Sequence, residues 1–400
     1  MTDAAPADAR FRRAQLGVVA VFFVHGLLFA SWTAHIPHIK AHLNIDNGTL
    51  GFALLGMPVG SVTATALAAY LIPRTGSRVL VQVCLVGYCL SGPIVGLTGS
   101  VAGLFVALFV WGAFQGTLDI AMNTQAIAVE RARRRPLMNG MHACWSIGAF
   151  AGAGIGTLGV VLGVSLSEQL LVIGIPALIG AGLLTTKMLL DSAQADDTHD
   201  AEPKQRRISA AMLLLAAIAF AAMLCEGAAA DWSSLYLRES LGAGPGVAGL
   251  GYTAFAFAMV VVRLFGNRLL ARYPAQRLLP ALAGMSTVGF GVALLVGTVP
   301  VALVGFFLLG LGLGAVVPSA FSAAGRLPQI HPGVGVAGVS GLGWAGFVFG
   351  PPAIGQLAGL TSLPVALGVV PVLTAFITVA CARVGALRVE ADVPGRRATV

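Results

Sequence analysis

Asp119 stands in an apolar run, residues 101–129, that is long enough to cross a bilayer. Gln115, Asp119 and Asn123 recur at spacing four, which puts them on one face of a helix. A carboxylate at bilayer depth costs on the order of 3 kcal/mol on insertion scales, so such a residue characteristically faces a cavity, an ion path or a partner. The chemistry open to it is proton exchange, because a carboxyl whose hydration changes as a cavity opens and closes can load and release a proton. Asp119 lies ten residues, about 15 Å, from the basic end of its run, near the bilayer midplane. The bland alternative is a structural acid neutralised by a neighbouring helix.

Other polar residues stand at various depths in the spans, His25 at a depth similar to that of Asp119 and Glu226 nearer the outer face. His25, in the first apolar run, can pair with Asp119, bind a solute, or simply hydrogen-bond a neighbouring helix. Glu226 is about 16 residues into its run, roughly 24 Å from its start, where it can gate or bind cations. Asp231, closer to the end of the same run, reads as interfacial. Asn123 and Gln115 suit hydroxyl groups or interhelical bonds, and His142, just past Pro136, suits an inner gate or the headgroup level. Trp32, Trp145, Trp232 and Trp344 can stack on a sugar ring, although interfacial belts and packing enrich tryptophan equally well.

These residues require membrane helices to hold them. Hydrophobic residues make up 57% of the 400 and charged residues only 10%, against about 25% charged in a soluble domain. The apolar runs are continuous rather than alternating, which excludes a transmembrane β-barrel and leaves an all-α polytopic membrane protein. Twelve spans are predicted, at 14–36, 49–72, 79–97, 101–129, 137–162, 169–190, 210–235, 247–270, 278–296, 301–324, 334–360 and 364–387. The first follows Arg10, Arg12 and Arg13, but it is too long for the core of a signal peptide and no small-residue cleavage site follows.

The net charge of +8 does not point to nucleic acid, because the bases cluster at the ends of alternate spans. Of 24 Lys and Arg, only Lys40 and Arg238 fall in loops assigned outside, which puts both termini (1–13 and 388–400) in the cytoplasm. Residues 191–209 carry five acids and three bases with no apolar periodicity and read as a flexible cytoplasmic linker between bundles at 14–190 and 210–387. The five cysteines lie in apolar spans without metal-ligand spacing, so neither a disulfide framework nor a zinc site is expected.

The halves echo one another. Trp32 and Trp232 differ by 200, Trp145 and Trp344 by 199, Gly51 and Gly251 by 200, Arg78 and Arg277 by 199. A duplicated six-helix unit is how many secondary transporters are built, with the substrate site near midplane between the repeats. Glycines at 148, 152 and 156 and at 346, 350 and 355 let helices approach closely.

Two six-helix halves, a polar central loop and a glycine-basic turn after spans two and eight resemble the major facilitator superfamily over almost the whole chain. Within it, GTLDIAMNTQ, PLMNGMHACWSIGAFAGAGIG, WTAHIPHIK, EGAAADWSSLYL and VVRLFGNRL resemble the fucose-permease-like branch and its uncharacterised bacterial inner-membrane relatives. The resemblance implies the major facilitator fold, two pseudo-symmetric bundles in a bacterial inner membrane, and a monomer. It also implies an inner-gate arginine at Arg263, with Arg74, Arg78, Arg268 and Arg272 closing the same side. The chain departs from the family pattern at Pro73, where the turn after span two usually carries an acid, and at Thr33, where fucose permeases carry one. Span five has no proline between Ser146 and Gly156, unlike many antiporters.

The function expected is secondary active transport of a small polar solute such as a sugar, by alternating access and proton symport. Asp119 is the protonation site, and His25, Gln115, Asn123 and Glu226 line or gate the cavity. Proton-coupled export of amphipathic compounds uses the same acids in the opposite direction. A transporter-like sensor is the alternative from another class, though no large cytosolic domain is present to signal. There is no GxxxxGK[ST] loop for ATP, GLGLGAV near Gly310 lies inside a span with no preceding strand, and no nucleophile-base pair supports catalysis, so no cofactor is expected.

Overall fold

The computed structural model describes residues 4–133, 135, 137–190, 209–328, 330, 332–384 and 387. The central linker apart from Ser209, the residues beyond Leu387 and the first three residues lie outside the described set. Among the described residues there is no strand, and 12 helical segments are long and apolar enough to cross a membrane. They agree in number and order with the spans expected from sequence.

In the first half the helices are α1 (Ala4–Ser31), α2 (Ile36–Leu43), α3 (Asn47–Leu54), α4 (Gly56–Thr75), α5 (Ser77–Val95), α6 (Val101–Arg133), α7 (Met138–Val161) and α8 (Leu166–Thr185). The second half holds α9 (Ala210–Leu235), α10 (Pro245–Arg272), α11 (Ala275–Val296), α12 (Val299–Leu313), α13 (Val316–Ala324), α14 (Pro332–Leu360), α15 (Leu363–Leu367) and α16 (Val369–Arg383).

Several spans are broken helices, and the local sequence says why. Span one pauses in a 3-10 turn, Thr33–His35, and restarts as α2 with Pro37 in the first turn, where its missing N–H costs nothing. The extended chain before α3 is capped by Asp46, whose carboxylate accepts from Thr49 N at 2.7 Å. That backbone N–H holds the Asp46 carboxyl below its ordinary range. Span seven overshoots its expected end in a π-type turn, Tyr236–Ser240. Glu130 closes the basic turn after α6 by accepting from the Leu137 and Met138 N–H groups at 2.6 and 2.8 Å, the start of α7.

The packing repeats itself. In the first half α7 and α8 pack on α1, α4 and α5 on α6, and α8 on α5; in the second, α14 and α16 pack on α9, α10 and α11 on α12, and α16 on α11. Each of these contacts of one bundle thus has its equivalent in the other. The two bundles meet through α7 against α10 and α3 against α14, which a two-fold relation also exchanges. Between apolar helices in lipid the attraction is van der Waals contact and hydrogen bonding, so close approach decides stability. A Cβ added at Gly148, Gly152 or Gly156 would fall on the carbonyl oxygen of Phe23, Leu27 or Ser31, so one stripe of glycines lets α7 lie directly on α1.

Buried polar bonds tie the first bundle together. Gln125, fully buried, donates to Ser77 Oγ at 2.7 Å and to Leu189 O at 3.0 Å, and accepts from Leu189 N at 3.2 Å. Gln125→Leu is expected to orphan the Leu189 groups and cost about 2 kcal/mol, visible as a lower thermal midpoint of the detergent-solubilised protein.

Candidate functional site

Where the bundles face one another, four helices contribute a polar chain. Trp145 on α7 donates its indole N–H to His25 Nδ1 on α1 at 2.8 Å. A ring nitrogen that accepts carries no proton, so His25 bears its proton on Nε2 and gives it to the backbone carbonyl of Gln115 on α6, at 3.3 Å. The Gln115 side chain in turn accepts from Ser61 Oγ on α4 at 2.8 Å. Behind His25 an aromatic stack holds the ring in place, with centroids 5.4 Å from His25 to Tyr88 and 5.4 Å from Tyr88 to Trp111.

The chain continues into the second bundle. Arg263 on α10 donates to Ser146 Oγ on α7 at 2.6 Å, and its guanidinium lies 5.4 Å from the centre of the Trp145 ring. Glu226 on α9 and Tyr252 on α10 lie within electrostatic range of Arg263, but among the described residues no direct ion pair joins Glu226 to it. Phe150 and Phe257 meet across the same interface with centroids 5.2 Å apart.

Asp119 sits one helical turn beyond Gln115, half-buried, and its only described hydrogen-bond partner is Asn123, which donates to its Oδ1 at 3.3 Å and to its backbone carbonyl at 2.8 Å. Among the described residues its carboxyl thus has one neutral hydrogen-bond partner and no cation bonded to it. His25 does not pair with Asp119, because both of its ring nitrogens are committed elsewhere.

The remaining expected residues divide. His142 packs edge-on against Phe22 of α1, with ring centroids 5.2 Å apart, and lies within electrostatic range of Arg263 of the opposite bundle. Arg263, grouped from sequence with the gate arginines, lies nine residues before the end of α10 and apart from them. Arg74 donates to Tyr70 O of its own helix at 2.6 Å, and Arg78 to Met188 O of its own bundle at 3.5 Å. Arg268 and Arg272 are exposed beside Phe265 and Tyr273 of their own segment. None of these four reaches across to the other bundle among the described contacts.

At the opposite end the bundles do touch. Lys40 pairs with Glu239, Ser234 Oγ donates to Thr33 O at 2.9 Å, and Gln356 Nε2 donates to Gly48 O at 3.4 Å. Among the described contacts the bundles are therefore bonded to each other at the Lys40 end, while Arg74 and Arg78 at the other end bond within their own bundle. Asp231 is half-buried on α9 between Glu226 and the Lys40 end.

Sequence reasoning did not single out Ser61, Ser146, Tyr88 or Tyr252, and it favoured packing for Trp145. The hydrogen bonds of Ser61, Ser146 and Trp145 join positions 54 to 120 apart, and no periodicity carries that information. The Trp145–Trp344 repeat pair was the one available signal that position 145 is special.

Two equivalent six-helix bundles that meet along a chain of polar residues make a multi-pass membrane protein. The chain belongs to the Major Facilitator Superfamily, whose family model matches residues 18–328. It is 32% identical over 363 residues to an uncharacterised MFS-type transporter of Yersinia pestis, covering 90% of this chain and 92% of that one. Among solved structures it resembles a D-xylose-proton symporter (TM-score 0.72, 12% identity, 93% of this chain and 96% of that chain) and the MFS transporter FucP in its outward conformation (TM-score 0.62, 17% identity, 92% and 97%). At those identities the structural likeness speaks to fold alone.

Proposed function

We propose that this transporter is a proton-coupled symporter of a small polar solute such as a sugar, with Asp119 as the protonation site. His25, Gln115, Asn123 and Glu226 line the solute cavity, and Arg74, Arg78, His142, Arg268 and Arg272 close its open end in the alternate state. Arg263 acts between the two bundles at cavity level, joining that closure as the bundles rock. The observation that carries this reading is a half-buried carboxylate within a membrane-spanning helix, hydrogen-bonded among the described residues by Asn123 alone. Gln115 and Asn123, whose amides match hydroxyl groups, stand one turn to either side of it on α6.

The bundles are placed at 14–190 and 210–387, joined by the linker 191–209. The protein works as a monomer in a bacterial inner membrane, with lipid against its outer faces and both termini cytoplasmic, so the Lys40 end is the outer one. A groove lined by Phe52, Leu55, Val101 and Phe105 is almost wholly apolar and separate from the polar chain, which suits a lipid tail rather than the solute.

The test is proton flux in proteoliposomes with a pH-sensitive dye and a panel of sugars and polyols. Solute-dependent alkalinisation of the external medium supports symport. Silence toward every sugar, with protons leaving preloaded acidic vesicles when a lipophilic cation is added, replaces this reading with export.

A further inference from the structure

We propose that Trp145 is a positioning residue of the proton step: its indole N–H pins His25 as a neutral imidazole and so leaves Asp119 as the proton-exchanging group of the first bundle at this depth. The role given to Asp119 rests on the symport reading above; the hold of Trp145 on His25 does not.

An indole N–H can only donate. The His25 Nδ1 that receives it, at 2.8 Å, has its lone pair engaged, and the one proton of the ring stays on Nε2, against the Gln115 carbonyl at 3.3 Å. A hydroxyl or carboxylate in place of the indole could accept from Nδ1 and would favour a ring protonated at both nitrogens. A donor-only partner forbids that second proton unless its own bond breaks first. His25 is 3% exposed, so little water reaches Nδ1 to take the place of that partner.

The surroundings act in the same sense. Arg263 of the second bundle holds its guanidinium 5.4 Å from the centre of the Trp145 ring and donates to the neighbouring Ser146 Oγ at 2.6 Å. A cation on the indole face draws electron density from the ring, which strengthens its N–H as a donor and opposes a positive charge at His25. The other titratable groups around His25 are Tyr88 of α5, stacked with centroids 5.4 Å apart, His142 of α7 and Asp119 of α6. Asp119 is the one that would draw a proton onto a free Nδ1. Because α6 is helical throughout, the Gln115 carbonyl that takes His25 Nε2–H is also the acceptor for the Asp119 backbone N–H. The repeat supplies an internal comparison. Offsets of 199 and 200 carry His25 to Leu224 and Cys225, and Asp119 to Pro318 and Ser319. The second bundle thus keeps the tryptophan, Trp344, but has neither the histidine nor the acid at those positions.

The test needs no solute. In the full-length protein, reconstituted in nanodiscs and isotopically labelled at its histidine nitrogens, NMR tells a protonated ring nitrogen from a bare one, and His25→Gln identifies the His25 signals by their loss. The parent is expected to show one protonated and one bare nitrogen at about pH 8 and still at about pH 5. Trp145→Phe deletes the donor and is expected to lose the bare-nitrogen signal at about pH 5 as the imidazolium forms. Trp145→Tyr, whose hydroxyl can accept as well as donate, is expected to do the same and keeps the test decisive if the smaller ring fails to fold. Phe29→Leu trims the ring that packs on Trp145, with centroids 6.0 Å apart, without touching the N–H, and is expected to match the parent. The proposal is overturned by a parent His25 doubly protonated at about pH 5, by a neutral His25 in both Trp145 variants, or by a Phe29→Leu protein that behaves as they do. Failure of symport in the proton-flux assay would overturn the role of Asp119 alone and leave these signals as they are.

Discussion

Asp119→Asn is expected to end concentrative uptake while leaving solute exchange intact. The substitution is nearly isosteric, and the bond from Asn123 to the residue-119 backbone carbonyl does not depend on the side chain. What it removes is the one group at cavity depth on α6 that can take up and release a proton. One coupled proton and a gradient of one pH unit sustain about a tenfold accumulation of a neutral solute. The variant is expected to bring solute only to its external concentration. Counterflow, in which labelled solute outside exchanges for unlabelled solute inside, needs no net proton movement and is expected to persist. Radiolabelled uptake under an imposed gradient, run beside counterflow, reads both quantities. Full accumulation by Asp119→Asn would move the coupling role to Glu226, a half-buried carboxylate of α9 with no direct ion pair among the described residues.

Gly152→Leu is expected to prevent the protein from folding. At this position α7 lies so close to α1 that a Cβ would coincide with the Leu27 carbonyl oxygen, and a backbone oxygen cannot swing aside as a side chain can. The two helices would have to separate, and the contacts of Gly148 with Phe23 and of Gly156 with Ser31 would go with them. Overpacking in an adaptable core costs about 1–3 kcal/mol; a collision with backbone along a whole helix pair is expected to exceed that range. The yield of monodisperse protein after detergent extraction is the measurement. Gly154→Leu is the control, because nothing lies within 4 Å of a Cβ there. Loss of both variants alike would mean that glycine is needed for the helix itself rather than for its contact with α1.

How far the site could be read from the chain follows from the range of the interactions. Asp119 and Asn123 are one turn apart on the same helix, and their hydrogen bond is what spacing four implies. His25 is different. Its depth suggested Asp119 as a partner, yet Trp145 and the Gln115 carbonyl take its two nitrogens, and only the docking of α7 and α6 against α1 could decide that. Arg263 likewise reads as one of a basic series near the end of its span, while the structure carries its guanidinium across the interface to Ser146.

By itself the sequence determined the membrane character, the order and number of the spans, the duplication and the buried acids. Each of these is set by local hydropathy, by helical spacing, or by comparing the chain with itself at an offset near 200. Tertiary structure alone decided which polar groups meet and at which end the bundles bond to each other. Lys40 and Glu239 look like two loop charges until the packing of one bundle on the other brings them within 2.6 Å. Helix faces are written in the chain at a period of 3.6 residues. The rotation that turns one face toward another is fixed by close contacts such as that of Gly152 with Leu27, where a single methyl group would forbid the approach.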